Sequence, residues 1–454
     1  MALLTEILGP RQSFDGGLFL PDYKAGIAKR PAETLAVQET LRVPLTVRRD
    51  LPTQVVVKHG DPVRRGQFLS IPAAAASLPA HAPTSGTVTA LDRVWTPMEG
   101  FLPCAVLQPD GRDEWIETSR RWESDSFARE IRDAGVFSPL PREGLHELLL
   151  RASRSGVSDL IINAMETEPF LVSDLRTLVE ESGRIVDAIA EIADSIGVQH
   201  VHFALPYRHR RVVKRIEAET QGRYINVVPL AHKYPQCSPL ILLKTLIDRE
   251  VVPGGSPIDA GALILPLAAV RMAAQAILDG RPVTHALVTV AGDAVERPGV
   301  YRVAVGTPLL DLARRVGLLG EPRQIIWGGP LSGLSLDRQD AVITREACGV
   351  LMFQDAAAAD PVPCIRCGWC AEDCPAGLDP SLLLHLEAQD ECSTRENMML
   401  KACVDCGLCS HICPSQLPLA QSIWRARYRF NDIQFLEQTG PSMRRSDAGT
   451  PHGQ

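Results

Sequence analysis

The chain has 454 residues, 45% of them hydrophobic, with Lys and Arg at 47 against Asp and Glu at 54 and a formal charge of −7. At roughly 150 residues per domain this length fits about three domains with cores of their own, which excludes disordered and fibrous classes. The acidic balance argues against a nucleic-acid partner, and the most apolar stretch, Gly261 to Leu278, is broken by Pro266 and Arg271, short of the ~20 apolar residues of a spanning helix.

The first residues, MALLTEILGPRQSF, show neither a basic n-region nor a cleavage site, so a cytoplasmic location is expected. Residues 1–40 hold the turn-rich Phe14-Asp15-Gly16-Gly17 and little periodicity, and read as an N-terminal arm. Over residues 41–115, short runs (Leu45 to Val47, Gln54 to Val57, Thr87 to Ala90, Ala105 to Gln108) alternate with Gly, Pro and Asp turns, an all-β pattern. Within it, residues 58–67 and His81 to Val88 resemble the two halves of a biotinyl/lipoyl-type hammerhead, a barrel-sandwich β domain. No lysine lies between Lys58 and Lys214 to carry a prosthetic group, so a structural module is expected.

Residues 120–280 read as a doubly wound α/β domain. Asp159 to Ala164, His200 to Leu205 and Ile225 to Leu230 are short buried strands, separated by amphipathic helices of which the longest is Phe170 to Ile196. Such sheets bind ligands at their carboxyl ends, which points to the loop Met165-Glu166-Thr167-Glu168-Pro169. Glu166 and Glu168 themselves read as the solvated start of a helix. Residues 284–350 show strand, strand, helix (Ala286 to Val290, Arg297 to Val303, Thr307 to Val316), a β-grasp-like order. The following Gly328-Gly329-Pro330-Leu331-Ser332-Gly333 lacks the lysine of a P-loop and reads as turn chemistry. A linker, Asp355 to Asp360, precedes residues 360–430, and residues 438–454 have the composition of a disordered tail.

Of the twelve cysteines, Cys104, Cys237, Cys348 and Cys392 are scattered, whereas Cys364, Cys367, Cys370 and Cys374 precede Pro375, and Cys403, Cys406, Cys409 and Cys413 precede Pro414. Each set is a C-x2-C-x2-C-x3-C-P run, the bacterial ferredoxin pattern in which three thiolates hold one [4Fe–4S] cluster and the fourth ligates the other. Cross-ligation pairs Cys364, Cys367 and Cys370 with Cys413, and Cys403, Cys406 and Cys409 with Cys374. A zinc ribbon would separate two C-x2-C knuckles by a longer loop. Helix formers between and after the runs, Pro380 to Leu400 and Leu417 to Tyr428, indicate a helical dicluster ferredoxin-like domain.

Taken in order, these blocks resemble the C subunit of the Rnf electron-transport complex and the related cobalamin reductase of bacterial microcompartments. The resemblance rests on Phe14-Asp15-Gly16-Gly17, His81 to Val88, Ile161 to Ala164 with Glu166, Glu168 and Pro169, Val290 to Val295 with Arg297-Pro298-Gly299, Gly328 to Gly333 and both cysteine runs, over about residues 12 to 430. It implies a peripheral subunit on the cytoplasmic face of a membrane complex, with membrane subunits and a protein such as ferredoxin as partners. It also implies an α/β domain similar to the flavoprotein subunit of complex I, with electrons passing from NADH through FMN to the clusters. The family's glycine-rich G-x-G-G-A-G-F-P loop, however, is replaced here by Ala134-Gly135-Val136-Phe137-Ser138-Pro139-Leu140-Pro141-Arg142-Glu143-Gly144. Side chains of Phe137, Leu140 and Arg142 would obstruct backbone approach to a flavin, so neither FMN nor NADH is expected to bind tightly. An electron-transfer subunit is therefore the leading reading, ahead of a flavin-dependent NADH or cobalamin reductase and of a non-redox scaffold with structural clusters.

Overall fold

The computed structural model describes residues 13–37, 39–117, 126–355, 360–389 and 391–431. The first twelve residues, most of the expected linker and the expected tail lie outside the described residues. Four packed units follow the arm.

The first unit is built of two antiparallel sheets. Gly86–Thr96 and Gly100–Pro109 form a long hairpin flanked by Leu41–Pro44 and Pro62–Val63, and Thr53–Val55, Phe68–Pro72 and Ala80–His81 form the second sheet. Leu41, Val43, Leu69, Val88 and Leu107 close the core between them. Sequence alternation reveals only the ends of the hairpin, because Leu91, Asp92 and Arg93 are all exposed and interrupt the in–out pattern midway. Leu45 to Val47 is buried but forms a bend after Pro44 instead of a strand.

The second unit is a parallel sheet ordered Ile225–Leu230, His200–Pro206, Asp159–Asn163, Ala262–Pro266. The strands are continuous apolar runs because helices cover both faces. Helix Ser173–Ile196, three residues shorter than its sequence pattern, packs Ile185, Ile189 and Ile192 into the same core as Leu160, Ile162 and Phe203. The apolar stretch from Gly261 resolves into strand Ala262–Pro266 and helix Leu267–Asp279, with Pro266 at the junction, where its missing N–H costs nothing. Winding reverses between Asp159–Asn163 and Ala262–Pro266, so the switch point lies at Asn163, next to the loop carrying Glu166 and Glu168.

The third unit is a six-stranded mixed sheet in the order Glu33–Thr34, Gly299–Ala304, His285–Ala291, Gly349–Phe353, Gln324–Trp327, Leu334–Leu336. Helix Leu309–Val316 buries Leu309, Leu312, Ala313 and Val316 against it. Thus the expected strand, strand, helix order is present, and the sheet also takes an edge strand from the arm and a central one running past residue 350. The fourth unit consists, among the described residues, of the short helices Trp369–Glu372, Pro380–Leu383, Thr394–Ala402 and Leu408–His411 and the longer Leu419–Asn431, around Leu383, Leu386, Leu400, Ile423 and Ala426.

Candidate metal centre

The two cysteine runs fold alike. Arg366 (φ 56°), Gly368 (φ 83°) and Gly377 (φ 63°) of the first have left-handed counterparts at Asp405 (φ 54°), Gly407 (φ 75°) and Gln416 (φ 53°) of the second. Each left-handed residue reverses the local chain so that closely spaced cysteines turn toward a common space, and in the first run the Arg366 N–H donates to Cys364 Sγ at 3.4 Å. The short helices Trp369–Glu372 and Leu408–His411 then carry the chain to each fourth cysteine.

The thiols of the two runs come close to one another. Cys370 lies near Cys367 and Cys413, Cys403 and Cys406 lie near Cys374, and Cys409 lies near both Cys374 and Cys370. Burial raises the Cys403 thiol to about 11 and the Cys409 thiol to about 12, and raises Cys406 as well. Such thiols hold their protons until a metal displaces them. Among the described residues no three His, Cys, Asp or Glu side chains meet where one ion would sit. A cubane takes one thiolate on each of four irons and so asks for a wider ring of sulfurs. The donor set, eight thiols in two runs of matching spacing and backbone, fits iron–sulfur cubanes.

The two sites differ in exposure. Cys364 and Cys367 are exposed, and Val362, Ile365 and Trp369 around them are 52%, 66% and 52% exposed. The second run instead faces the body of the protein. Tyr234 donates its hydroxyl to the Cys406 carbonyl at 2.6 Å, and a Cβ on Gly407 would overlap the Leu331 carbonyl.

At the carboxyl edge of the parallel sheet, the two glutamates are built into the fold. Glu166 accepts from Ser173 Oγ (3.1 Å) and from the N–H groups of Asp174 (3.0 Å) and Leu175 (3.3 Å), capping the long helix. Glu168 is only 7% exposed, not solvated as its position after a strand suggests. It accepts from Ser332 Oγ (2.6 Å) and from the Ser332 (3.0 Å) and Leu331 (3.2 Å) N–H groups. Burial pushes its carboxyl up, and these hydrogen bonds oppose the shift. The glycine-rich turn therefore does cradle an anion, one supplied by the protein itself. Asn163 secures the neighbouring loop, donating to the Cys237 carbonyl at 2.7 Å.

The arm lies over this edge. Lys24, 3% exposed, donates to the Glu166 carbonyl at 2.5 Å amid Glu166, Asp174 and Glu168, and burial lowers its pKa. Asp22 pairs with Arg208, its carbonyl accepts from Phe170 N–H at 2.8 Å, and Tyr23 stacks on Phe170 at 4.9 Å. The stretch replacing the glycine-rich loop is a small hairpin, Phe137–Ser138 against Glu143–Gly144. Phe137 fills a pocket with Val47 and Leu78 of the first unit, and the buried Arg345 donates to the Gly135 carbonyl at 2.7 Å. An open cleft of about 480 Å³ beside the hairpin is lined by Arg48, Arg142 and Arg151. Each arginine already faces a carboxylate: Asp50 at 2.6 Å, Glu99 at 2.6 Å and Glu143 at 2.5 Å.

Residues 12–112 match the RnfC barrel sandwich hybrid domain, and residues 147–273 match the Nuo51 FMN-binding domain, which identifies the first two units. The C subunit of the proton-translocating ferredoxin:NAD(+) oxidoreductase complex of Clostridium ljungdahlii is 30% identical over 392 residues, covering 84% of this chain and 85% of the relative. The chain belongs to this C-subunit family. C subunits of ion-translocating oxidoreductase complexes from Serratia proteamaculans and Erwinia tasmaniensis are 29% and 30% identical over 85% and 82% of this chain. The chain spans only 56% and 47% of those longer C subunits. An NAD+-reducing [NiFe]-hydrogenase in its H2-reduced state superposes with a TM-score of 0.49 at 17% identity, covering 69% of this chain and 62% of that one. Among the described residues no helix is long and apolar enough to cross a membrane.

Proposed function

We propose that this C-subunit homologue is the iron–sulfur relay of a membrane-associated, ion-translocating oxidoreductase complex. One [4Fe–4S] cluster sits on Cys364, Cys367, Cys370 and Cys413, the other on Cys403, Cys406, Cys409 and Cys374. The observation that carries this reading is the matching left-handed backbone of the two cysteine runs, at Arg366, Gly368 and Gly377 and at Asp405, Gly407 and Gln416, with Cys374 of the first run beside Cys403, Cys406 and Cys409 of the second. When bound, the clusters supply one-electron transfer without movement of atoms. The chain's own part is to bury one site against the α/β domain and to leave the other at the surface. Val362, Ile365 and Trp369 make the exposed site the one a protein partner such as a ferredoxin reaches, with membrane subunits holding the chain on the cytoplasmic face. Anaerobically purified protein should contain iron and acid-labile sulfide near eight each per chain, as two four-iron clusters require. Cys413→Ala should remove the cluster of the first run and spare the other; zinc in place of iron, or loss of the second run's cluster alone, overturns the assignment.

A flavoprotein reading is favoured by the match of residues 147–273 to the Nuo51 FMN-binding domain. The residues at the carboxyl edge do not fit a flavin: Lys24 and Tyr23 lie across it, both glutamates have internal partners, and a packed hairpin stands where the family places its glycine-rich loop. Equilibrium dialysis against FMN, then anaerobic NADH titration of the visible spectrum, should show neither stoichiometric flavin nor bleaching. Either signal establishes the flavoprotein reading.

A further inference from the structure

The site that joins the second cysteine run to Cys374 is gripped from two sides by parts of the chain remote in sequence. On one side, the Tyr234 hydroxyl donates to the Cys406 carbonyl at 2.6 Å, while Glu168 Oε1 lies 3.1 Å from the same oxygen, so its one proton is shared between two acceptors. The Tyr234 ring is 2% exposed, and Glu168 is fixed in turn by Leu331 and Ser332. The Leu331 carbonyl packs on Gly407, the residue after Cys406. On the other side, the arm pairs with Tyr234 through Leu18 N–H to Tyr234 carbonyl (2.9 Å) and the return bond (2.8 Å). Gly17 N–H donates to the Asp373 carbonyl at 2.8 Å, and Gly16 lies so close that a Cβ there would stand 3.0 Å from the Asp373 and Cys374 carbonyls. Cys374 is the thiol that lies with Cys403, Cys406 and Cys409. Tyr234 and the arm thus hold both peptide segments that converge on the buried site, whereas the hydroxyl on the first run comes from within the cysteine domain, the buried Ser415 donating to the Pro363 carbonyl at 3.1 Å.

We propose that Tyr234, locked by Glu168, is a positioning residue for the buried cluster: it fixes the Cys406–Gly407 peptide against the carboxyl edge of the parallel sheet and thereby sets that cluster's environment from the α/β domain. The inference rests on the two-cluster reading above. Its physical basis is the dipole of the hydroxyl, whose positive end points at a ligand-loop carbonyl inside a dry interface, where hydrogen bonds and burial tune cluster potential. Reduction adds negative charge beside that dipole, so removing the hydroxyl makes reduction harder. Tyr234→Phe keeps the ring, its packing and the backbone pairing with Leu18, and removes only the donor.

The test is anaerobic redox titration followed by EPR of the full chain, wild type against Tyr234→Phe and Glu168→Gln, with Cys409→Ser identifying which signal belongs to the buried cluster. Tyr234→Phe should lower the midpoint potential and alter the EPR spectrum of that cluster alone, with iron content unchanged. Glu168→Gln should shift the same signal and leave the surface cluster unmoved. Iron release to a chelator should be several-fold faster from the buried cluster in Tyr234→Phe. Two intact clusters with unchanged potentials, spectra and release in both variants overturn the positioning role while leaving the relay reading standing. Equal shifts in both clusters overturn it as well, since they report general loosening. Wild-type protein without two clusters overturns the relay reading and this inference with it.

Discussion

Gly368 and Gly407 occupy the same place in the two cysteine runs and share a left-handed backbone, φ 83° and 75°. Their surroundings differ: a Cβ on Gly368 meets nothing within 4 Å, whereas on Gly407 it would overlap the Leu331 carbonyl. Gly368→Ala should therefore cost only the backbone strain, about 1–2 kcal/mol, while Gly407→Ala should cost more and deplete the buried cluster. Iron content after desalting and the unfolding midpoint of the two variants, compared side by side, measure the difference. Equal losses would mean that the contact with Leu331 contributes nothing. Lys24 shows the same principle for charge, since a buried ammonium persists only because the Glu166 carbonyl and neighbouring carboxylates replace its water.

At the scale of elements, the long helix Ser173–Ile196 begins in an unusual way. Its N-cap is Val172, which has no side chain to offer the open N–H groups. Glu166 supplies the carboxylate from the preceding loop, taking Ser173, Asp174 and Leu175 together. Negative charge at this end also suits the helix dipole. Glu166→Ala should destabilise the protein by about 1–2 kcal/mol, as loss of a cap does, and Glu166→Gln should recover part of it. Denaturant unfolding followed by circular dichroism checks both; a neutral Ala variant would show that water caps the helix equally well. Neighbour-based capping rules look at the residue adjoining the helix, so this cap could not be read from the sequence. The glycine-rich turn at Gly328–Gly333 was legible as a turn, but not as the receptor for Glu168, because the accepting carboxylate and the donating turn lie in different units.

Across the whole molecule, the buried His81 and the half-buried His285, His232 and His209 sit where the protonated ring is disfavoured. Burial lowers His81, His285 and His232 to about 3 and His209 to about 4, with nearby arginines or Lys24 adding to the effect. A base whose folded pKa is depressed binds fewer protons folded than unfolded. Stability is therefore complete above the unfolded value of about 6.5 and is lost as pH falls below it toward the folded values. For the fully enclosed His81 the loss at pH 5.5 is about 1.4 kcal/mol, one unit below the unfolded value. Thermal unfolding should shift downward steadily between pH 7 and 5.5, and His81→Gln should flatten the slope. A midpoint independent of pH in this window would contradict the burial of these rings.

The sequence alone determined what depends on spacing and local pattern. The doubled C-x2-C-x2-C-x3-C-P runs, the buried strands of the parallel sheet and the turn-rich β unit are encoded within a few residues of each site, as periodicity and left-handed turns are. Tertiary structure alone decided where the carboxylates point and which cysteines are buried. Lys24 meets Glu166, Glu168 meets Ser332, and Tyr234 meets Cys406 across 142, 164 and 172 residues of chain. Such contacts leave no periodic trace in the sequence, because a hydrogen bond between distant segments is fixed by the packing of whole units and requires only one polar group on each side.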